Sequence, residues 1–155
     1  MGSTKQLIDL YVYRKEKNHV YFLLMQRAKE KIYSGQWRMI GGKTQEGEKR
    51  WQTALRELKE ETGLTPDLFW TVPTLNHFYE PESDQTHLIP AFAAEVAGNS
   101  EITLNDEHVT FKWLPIGDIP SYLYWPEQVR IIHCINELVI NDKLLTDWII
   151  ETDHT

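Results

Sequence analysis

Gly42–Leu64 reads GKTQEGEKRWQTALRELKEETGL, and the whole interpretation works outward from it. Ala54, Leu55 and Leu58 recur at helical spacing, and Gly63 is a natural helix stop because it accepts a left-handed backbone. On that helix Glu57 shares a face with both Glu60 and Glu61, since residues three and four apart are neighbours. Three carboxylates clustered in the C-terminal half of a helix repel one another by about 0.2–0.5 kcal/mol per pair and also oppose the macrodipole. Arg56, four residues before Glu60, offsets one charge but not three. A divalent cation removes the conflict, and oxygen-only donors favour magnesium, manganese or calcium over zinc.

The chain has 155 residues, 25% charged and 41% hydrophobic, values ordinary for one domain spanning 1–155 with a proper core. Its formal net charge of -7 argues against an electrostatic binder of nucleic acid polymers or membranes. Cys134 is the only cysteine, so no internal disulfide forms, which fits a cytoplasmic location; it falls in the apolar run 129–140 and reads as a buried structural thiol. Neither a signal peptide nor an apolar run of membrane-spanning length is expected.

Alternating patterns predict strands over 7–13 and 20–26 joined by a polar turn at 14–19, a basic loop at 28–35, and a short strand at 36–40 delivering Gly41-Gly42. Beyond the box helix, 68–79 and 87–96 read as strands flanking a polar loop at 80–85. A strand at 109–114, a turn at 116–119 and an amphipathic helix at 126–141 follow. Helices separated by several strands imply a mixed sheet covered on both faces. No P-loop is present to offer a competing phosphoryl-transfer apparatus.

The pattern G-x5-E-x7-R-E-U-x-E-E-x-G-U, with U a bulky aliphatic, is filled at every defined position, a match that average residue frequencies produce about once in 10^9 starts. It resembles the Nudix box, and the order of strands and helices extends the likeness to the Nudix hydrolases over most of the chain. The resemblance implies an α/β/α sandwich and hydrolysis of phosphoanhydrides with Mg2+, for which Mn2+ may substitute. It assigns Glu57 and Glu61 as metal ligands, supported by Glu60 and the Gly41 carbonyl, with Gly41 also beside the substrate. Arg56 becomes the cation that orients a glutamate, and Glu48 a brace for the loop. A homodimer is open to the chain on the same ground, with no interface identified by the sequence.

Outside the box, Glu107 precedes the segment Val109–Leu114, and Glu-His-x-x-aromatic-Lys-Trp-Leu resembles the corresponding part of the bacterial dihydroneopterin triphosphate pyrophosphatases. There the glutamate completes the metal site, so Glu107 is the candidate additional ligand or general base, with Asp106 the alternative. Arg27, at the end of the second strand, is a candidate for phosphate, its fork suiting such anions; Lys5 is a weaker one. Tyr124 could border a base or pterin pocket. Trp37 and Trp125 could stack on a ring or pack structurally, and Trp51 reads as structural. The six histidines show no metal-ligand spacing and carry no expected catalytic role. Ile40 stands where many Nudix proteins carry proline. The expected activity is a magnesium-dependent pyrophosphohydrolase cleaving a nucleoside triphosphate or dihydroneopterin triphosphate to monophosphate and pyrophosphate. The alternatives are a hydrolase of oxidised nucleotides or dinucleoside polyphosphates, and a non-catalytic nucleotide-sensing domain.

Overall fold

Successive residues of one strand, Leu7–Glu16, point alternately to two different cores. Ile8, Leu10 and Val12 are buried on one side, and Tyr11 and Tyr13 on the other. A strand buried on both faces must lie in the middle of a sheet covered twice, and it does. The structure, a computed structural model, describes residues 6–31 and 34–152. Its strands are β1 (Leu7–Glu16), β2 (His19–Arg27), β3 (Trp37–Arg38), β4 (Ile40–Lys43), β5 (Leu68–Glu80), β6 (Gln85–Glu95) and β7 (His108–Pro115). Two helices, α1 (Arg50–Thr62) and α2 (Pro126–Ile140), cover the faces, and short 3-10 turns occupy Ile116–Ser121 and Thr146–Trp148. The mixed sheet and sandwich expected from the sequence are thus present.

The sheet forks, and the fork positions the site. Tyr13 pairs with Phe22 of β2 on one edge and with Glu95 of β6, running parallel, on the other. Toward its other end β1 leaves β2 and pairs with β4, from Leu7↔Lys43 to Leu10↔Ile40. β2 in turn pairs with β3 at Met25↔Arg38 and Gln26↔Trp37, while β7 runs along its outer edge. Two strands that are partners at one end therefore diverge at the other, and β3 and β4 fill the gap. The single strand expected over 36–40 is accordingly two pieces broken at Met39, with the glycine pair inside β4 and not beyond it. Ile40, at the position where many relatives carry proline, is buried and paired with Leu10.

Other boundaries moved by a residue or two, except at the first hairpin. Its turn is only Lys17-Asn18, with Lys17 in the left-handed region (φ 57), because Glu16 and His19 already pair. The polarity of 14–19 marks a solvated hairpin end, not a loop. Helix α1 buries Ala54 and Leu58 among Ile8, Leu10, Met25 and Ile40, and each such leucine contributes about 1.5–3 kcal/mol. Its first turn is closed by the Gln52 side chain, which accepts the Lys49 N–H at 2.8 Å. Gly63 ends it with φ 75 and donates its N–H to the Lys59 carbonyl, as its type demands. α2 packs Ile131, Ile132 and Ile135 against Tyr11, Tyr13 and Trp70 on the opposite face. Among the described residues no helix is long and apolar enough to cross a membrane.

A buried polar network ties β1, β5 and α2 together on that second face. Asp9 accepts hydrogen bonds from the Tyr11 hydroxyl (3.1 Å), Asn76 Nδ2 (2.9 Å) and Gln128 Nε2 (3.5 Å), and Asn76 Oδ1 accepts one from Trp125 Nε1 (3.2 Å). Burial pushes the Asp9 carboxyl up to about 6, against the pull of these donors. The native state therefore holds a proton there that the unfolded chain releases near pH 4, so this group's contribution to stability falls as pH rises from about 4 through 6. Asp9→Asn keeps an acceptor for the same donors and cannot ionise. Denaturant unfolding across pH 4 to 7 is expected to show the wild type losing about 3 kcal/mol relative to the variant; parallel curves would rule out a buried titrating Asp9.

Candidate metal and phosphate site

The geometry of the site begins with a missing side chain. A Cβ on Gly42 would lie 2.7 Å from Glu57 Cγ and 3.4 Å from Thr53 Cγ2, so β4 reaches α1 closely only as glycine. This contact sets Glu57 against the backbone of the paired glycines. The loop from β4 to α1 is then held by Arg56. Its Nε donates to Glu48 Oε2 at 2.7 Å and its Nη2 to Glu48 Oε1 at 3.2 Å. Nη1 donates to Glu57 Oε1 at 2.8 Å and Glu60 Oε2 at 3.3 Å, and Nη2 also reaches the Lys43 carbonyl at 3.2 Å. Glu48 further accepts from the Gln45 N–H and the Thr53 hydroxyl, both at 2.9 Å. These donors, Arg56 first, lower the Glu48 carboxyl to about 2. Glu48 thus sits bracing the loop through Arg56.

The three helix carboxylates do not share one environment. Glu60 is 54% exposed at its side chain and rests on Arg56, whereas Glu61 is only 4% exposed and faces inward. Burial, then the charges of Glu57 and Glu107, push the Glu61 carboxyl up to about 9. Burial also raises Glu57, with Arg56 opposing. Glu61 Oε2 is buried with no hydrogen-bond partner.

Glu107 arrives from far along the chain. The segment after β6 crosses the end of α1, where the Thr103 N–H donates to the Thr62 carbonyl at 2.9 Å. The Glu107 N–H donates to Asn105 Oδ1, and its carbonyl accepts from the Ala28 N–H at 2.9 Å. A bulge between Gln26 and Arg27 shifts register so that Arg27 opposes His108. Arg27 Nη1 then lies 3.5 Å from Glu107 Oε2.

Glu61, Glu107 and His108 bring one ligand atom each within 4.8 Å of one another. His108 is the member that sequence reasoning missed. It is buried, its Nδ1 lies 3.5 Å from Glu61 Oε1, and burial followed by the Arg27 charge lowers it to about 4. With Glu61 protonated and His108 neutral, the two form no ion pair near pH 7. The buried Glu61 carboxyl with its orphaned oxygen, converging with the half-exposed Glu107, is a donor set that a hard divalent cation satisfies. The residues present fit the metal implied by the sequence.

The remaining sequence candidates do not all gather there. Arg27 is at the cluster, and Gly41 lies in β4 opposite Asp9. Lys5 is outside the described residues. Tyr124 is 79% exposed just before α2, beside Trp125, whose indole is bound to Asn76. Trp37 packs edge-on against Tyr122, with Lys112 over its ring, which is a structural role.

The Arg56–Glu48 pair is partly shielded and bidentate, so its coupling should exceed that of a surface pair. A double-mutant cycle of Arg56→Lys and Glu48→Gln by denaturant unfolding is expected to return about 1–3 kcal/mol. A coupling of a few tenths would mean that the loop is held by something else.

Comparison with known proteins matches this geometry. The NUDIX domain family profile matches residues 6–133. Nucleoside triphosphatase NudI of Escherichia fergusonii is 27% identical over 114 residues, covering 68% of this chain and 81% of that one. The asymmetrical bis(5'-nucleosyl)-tetraphosphatase of Caenorhabditis elegans is 30% identical over 112 residues, 70% of this chain and 78% of its own. Among solved structures, a binary complex of the C. elegans Ap4A hydrolase superposes with a TM-score of 0.70 at 22% identity, covering 88% of this chain and 99% of that one. A Nudix hydrolase structure from Listeria monocytogenes gives 0.76 at 18% identity, covering 95% and 99%. The box, the fork that presents it and the profile match over most of the length make this chain a member of the Nudix hydrolase family.

Proposed function

We propose that this protein is a magnesium-dependent pyrophosphohydrolase, cleaving a nucleoside triphosphate or dihydroneopterin triphosphate to the monophosphate and pyrophosphate. The observation that carries the reading is the convergence of buried Glu61 with Glu57, Glu107 and the cation Arg27 at one end of α1. Glu57 and Glu61 would hold the metal, with Glu60, Glu107 and the Gly41 carbonyl supporting, and Mn2+ would substitute because the donors are oxygens. Magnesium, when bound, supplies positive charge against the non-bridging oxygens and lowers the pKa of water.

The residues of the chain supply the rest. Arg56 holds Glu57 in place through its Nη1 and is itself fixed by Glu48. Arg27 meets the phosphate chain beside the attacked phosphorus. The water oxygen bonds to the inner phosphorus, the bridging P–O bond breaks, and its electron pair leaves with pyrophosphate. The water proton passes to Glu107 as general base, or to a box glutamate, Glu57 or Glu60, in its place. The reaction partner is a small phosphoanhydride, and the reading places it in the cytoplasm in one domain over 1–155; a homodimer enters only through the family resemblance.

Similarity to a nucleoside triphosphatase supports the triphosphate, and the Glu107–Leu114 segment supports the pterin analogue. The C. elegans relative favours a second reading, hydrolysis of dinucleoside polyphosphates, which the same machinery serves.

Glu61→Gln tests the chemistry. The carboxyl is already neutral without a cation, so the variant should melt within a few degrees of the wild type. Turnover of dATP and dihydroneopterin triphosphate, read as pyrophosphate release with magnesium, should fall by more than the 10–100-fold roughly expected for an outer partner. Turnover of diadenosine tetraphosphate alone would transfer the assignment to the second reading. Near-normal activity in the variant would defeat the metal-ligand role.

A further inference from the structure

A second feature lies beside the carboxylate cluster and has the opposite charge. A cavity of about 440 Å³ is lined by Arg27, Lys29, Glu30, Lys31 and Asp106 among others. Arg27, Lys29 and Lys31 outnumber Glu30 and Asp106 there, in a chain with only 16 Lys and Arg against 23 Asp and Glu. The cavity lies at the end of β2, between the loop that follows it and the start of β7. Gly35, at φ 80, donates its N–H to the Arg27 carbonyl at 3.1 Å, and Gln26 Nε2 donates to the Gly35 carbonyl at 3.1 Å, closing the wall. The Lys31 N–H to Ala28 carbonyl bond, 3.1 Å, turns the chain so that both lysines border the same space. Arg27 belongs to both features, since it lines the cavity and faces Glu107 at 3.5 Å.

From this we infer that the cavity receives the outer phosphates of the substrate, with Lys29 and Lys31 contacting the group that leaves as pyrophosphate, so that the site selects phosphate chains of three or more over diphosphates. The inference rests on the hydrolase reading and deepens it. Arg27 beside Glu107 serves the phosphorus under attack, and Lys29 and Lys31 line the same cavity as Arg27, so they act on a substrate whose phosphate chain extends from Arg27 into that cavity. Lysine suits the task because a flexible point charge follows a chain end, whereas the forked Arg27 fixes the reacting group.

The test uses Lys29→Ala/Lys31→Ala and the charge-keeping Lys29→Arg/Lys31→Arg, each with matched melting temperature. Inorganic tripolyphosphate with magnesium is titrated calorimetrically into each protein, and KM is measured for dATP and dADP. The alanine pair should bind tripolyphosphate at least about tenfold more weakly than the wild type, and the arginine pair within about threefold of it. The KM for dATP should rise by at least about tenfold in the alanine pair while that for dADP stays put. Equal tripolyphosphate affinity in wild type and alanine pair, absence of binding by the wild type, or equal KM increases for both nucleotides would each overturn the inference. Lysine-dependent tripolyphosphate binding by a wild type that hydrolyses no nucleotide would uphold the pocket and sink the hydrolase reading.

Discussion

Burying a carboxyl group next to other carboxyl groups is the constraint on which the rest of this structure turns. Glu61 is withdrawn from water at the end of α1, faces Glu57 and Glu107, and keeps one oxygen with no donor. Taking an ionised carboxylate out of water without compensation is far costlier than neutralising it, so the group holds its proton when no cation is present. A fold seeking only stability would place an apolar residue here. The surrounding residues limit the damage: Arg56 contacts Glu48, Glu57 and Glu60 together and offsets one of their charges, and Arg27 stands against Glu107. The compensation stops short of Glu61, which is the position where a cation gains most.

The fork in the sheet is what makes such a site buildable. Where β1 and β2 part, β4 carries Gly41-Gly42 under α1, and the absence of a side chain at Gly42 lets Glu57 lie against backbone. Where β2 meets β7, a bulge turns Arg27 toward Glu107. The two halves of the site are thus delivered by strand pairings that are remote in sequence, and both depend on register. A one-residue slip in β7 would carry its side chains to the other face and remove His108 and Glu107 from the cluster.

This dependence explains what could be read from the sequence and what could not. The box helix, its stop at Gly63, and the Arg56–Glu48 brace are contacts between residues close along the chain, governed by helical spacing and backbone preference. They are legible because their geometry is local. Glu107 was singled out by resemblance, yet its distance from the helix could not be known, because it is set by the crossing over Thr62 and by pairing with β2. His108 stood in the segment that singled out Glu107 but carried no ligand signal of its own: a lone histidine at the start of a strand is ordinary until burial and Arg27 define it. The same holds for Asp9, whose partners come from β5 and α2, and for the break at Met39, which exists only because two diverging strands each claim a piece of the same segment.

Charge distribution then resolves an apparent contradiction. A protein of net charge -7 is a poor general attractor of polyanions, and screening near 8 Å at physiological ionic strength prevents its scattered charges from acting together over long range. What matters is the order of charges met along the site. The carboxylates stand at the end of α1, Arg27 stands against them, and Lys29 and Lys31 line the space beyond. A free polyphosphate meets repulsion from the first of these and attraction from the last. A polyphosphate already carrying a divalent cation meets attraction from both, because cation and phosphates each face their opposite. On the proposed reading, acidity of the whole chain and basicity of one pocket therefore act together, favouring a metal-complexed polyphosphate over either component alone.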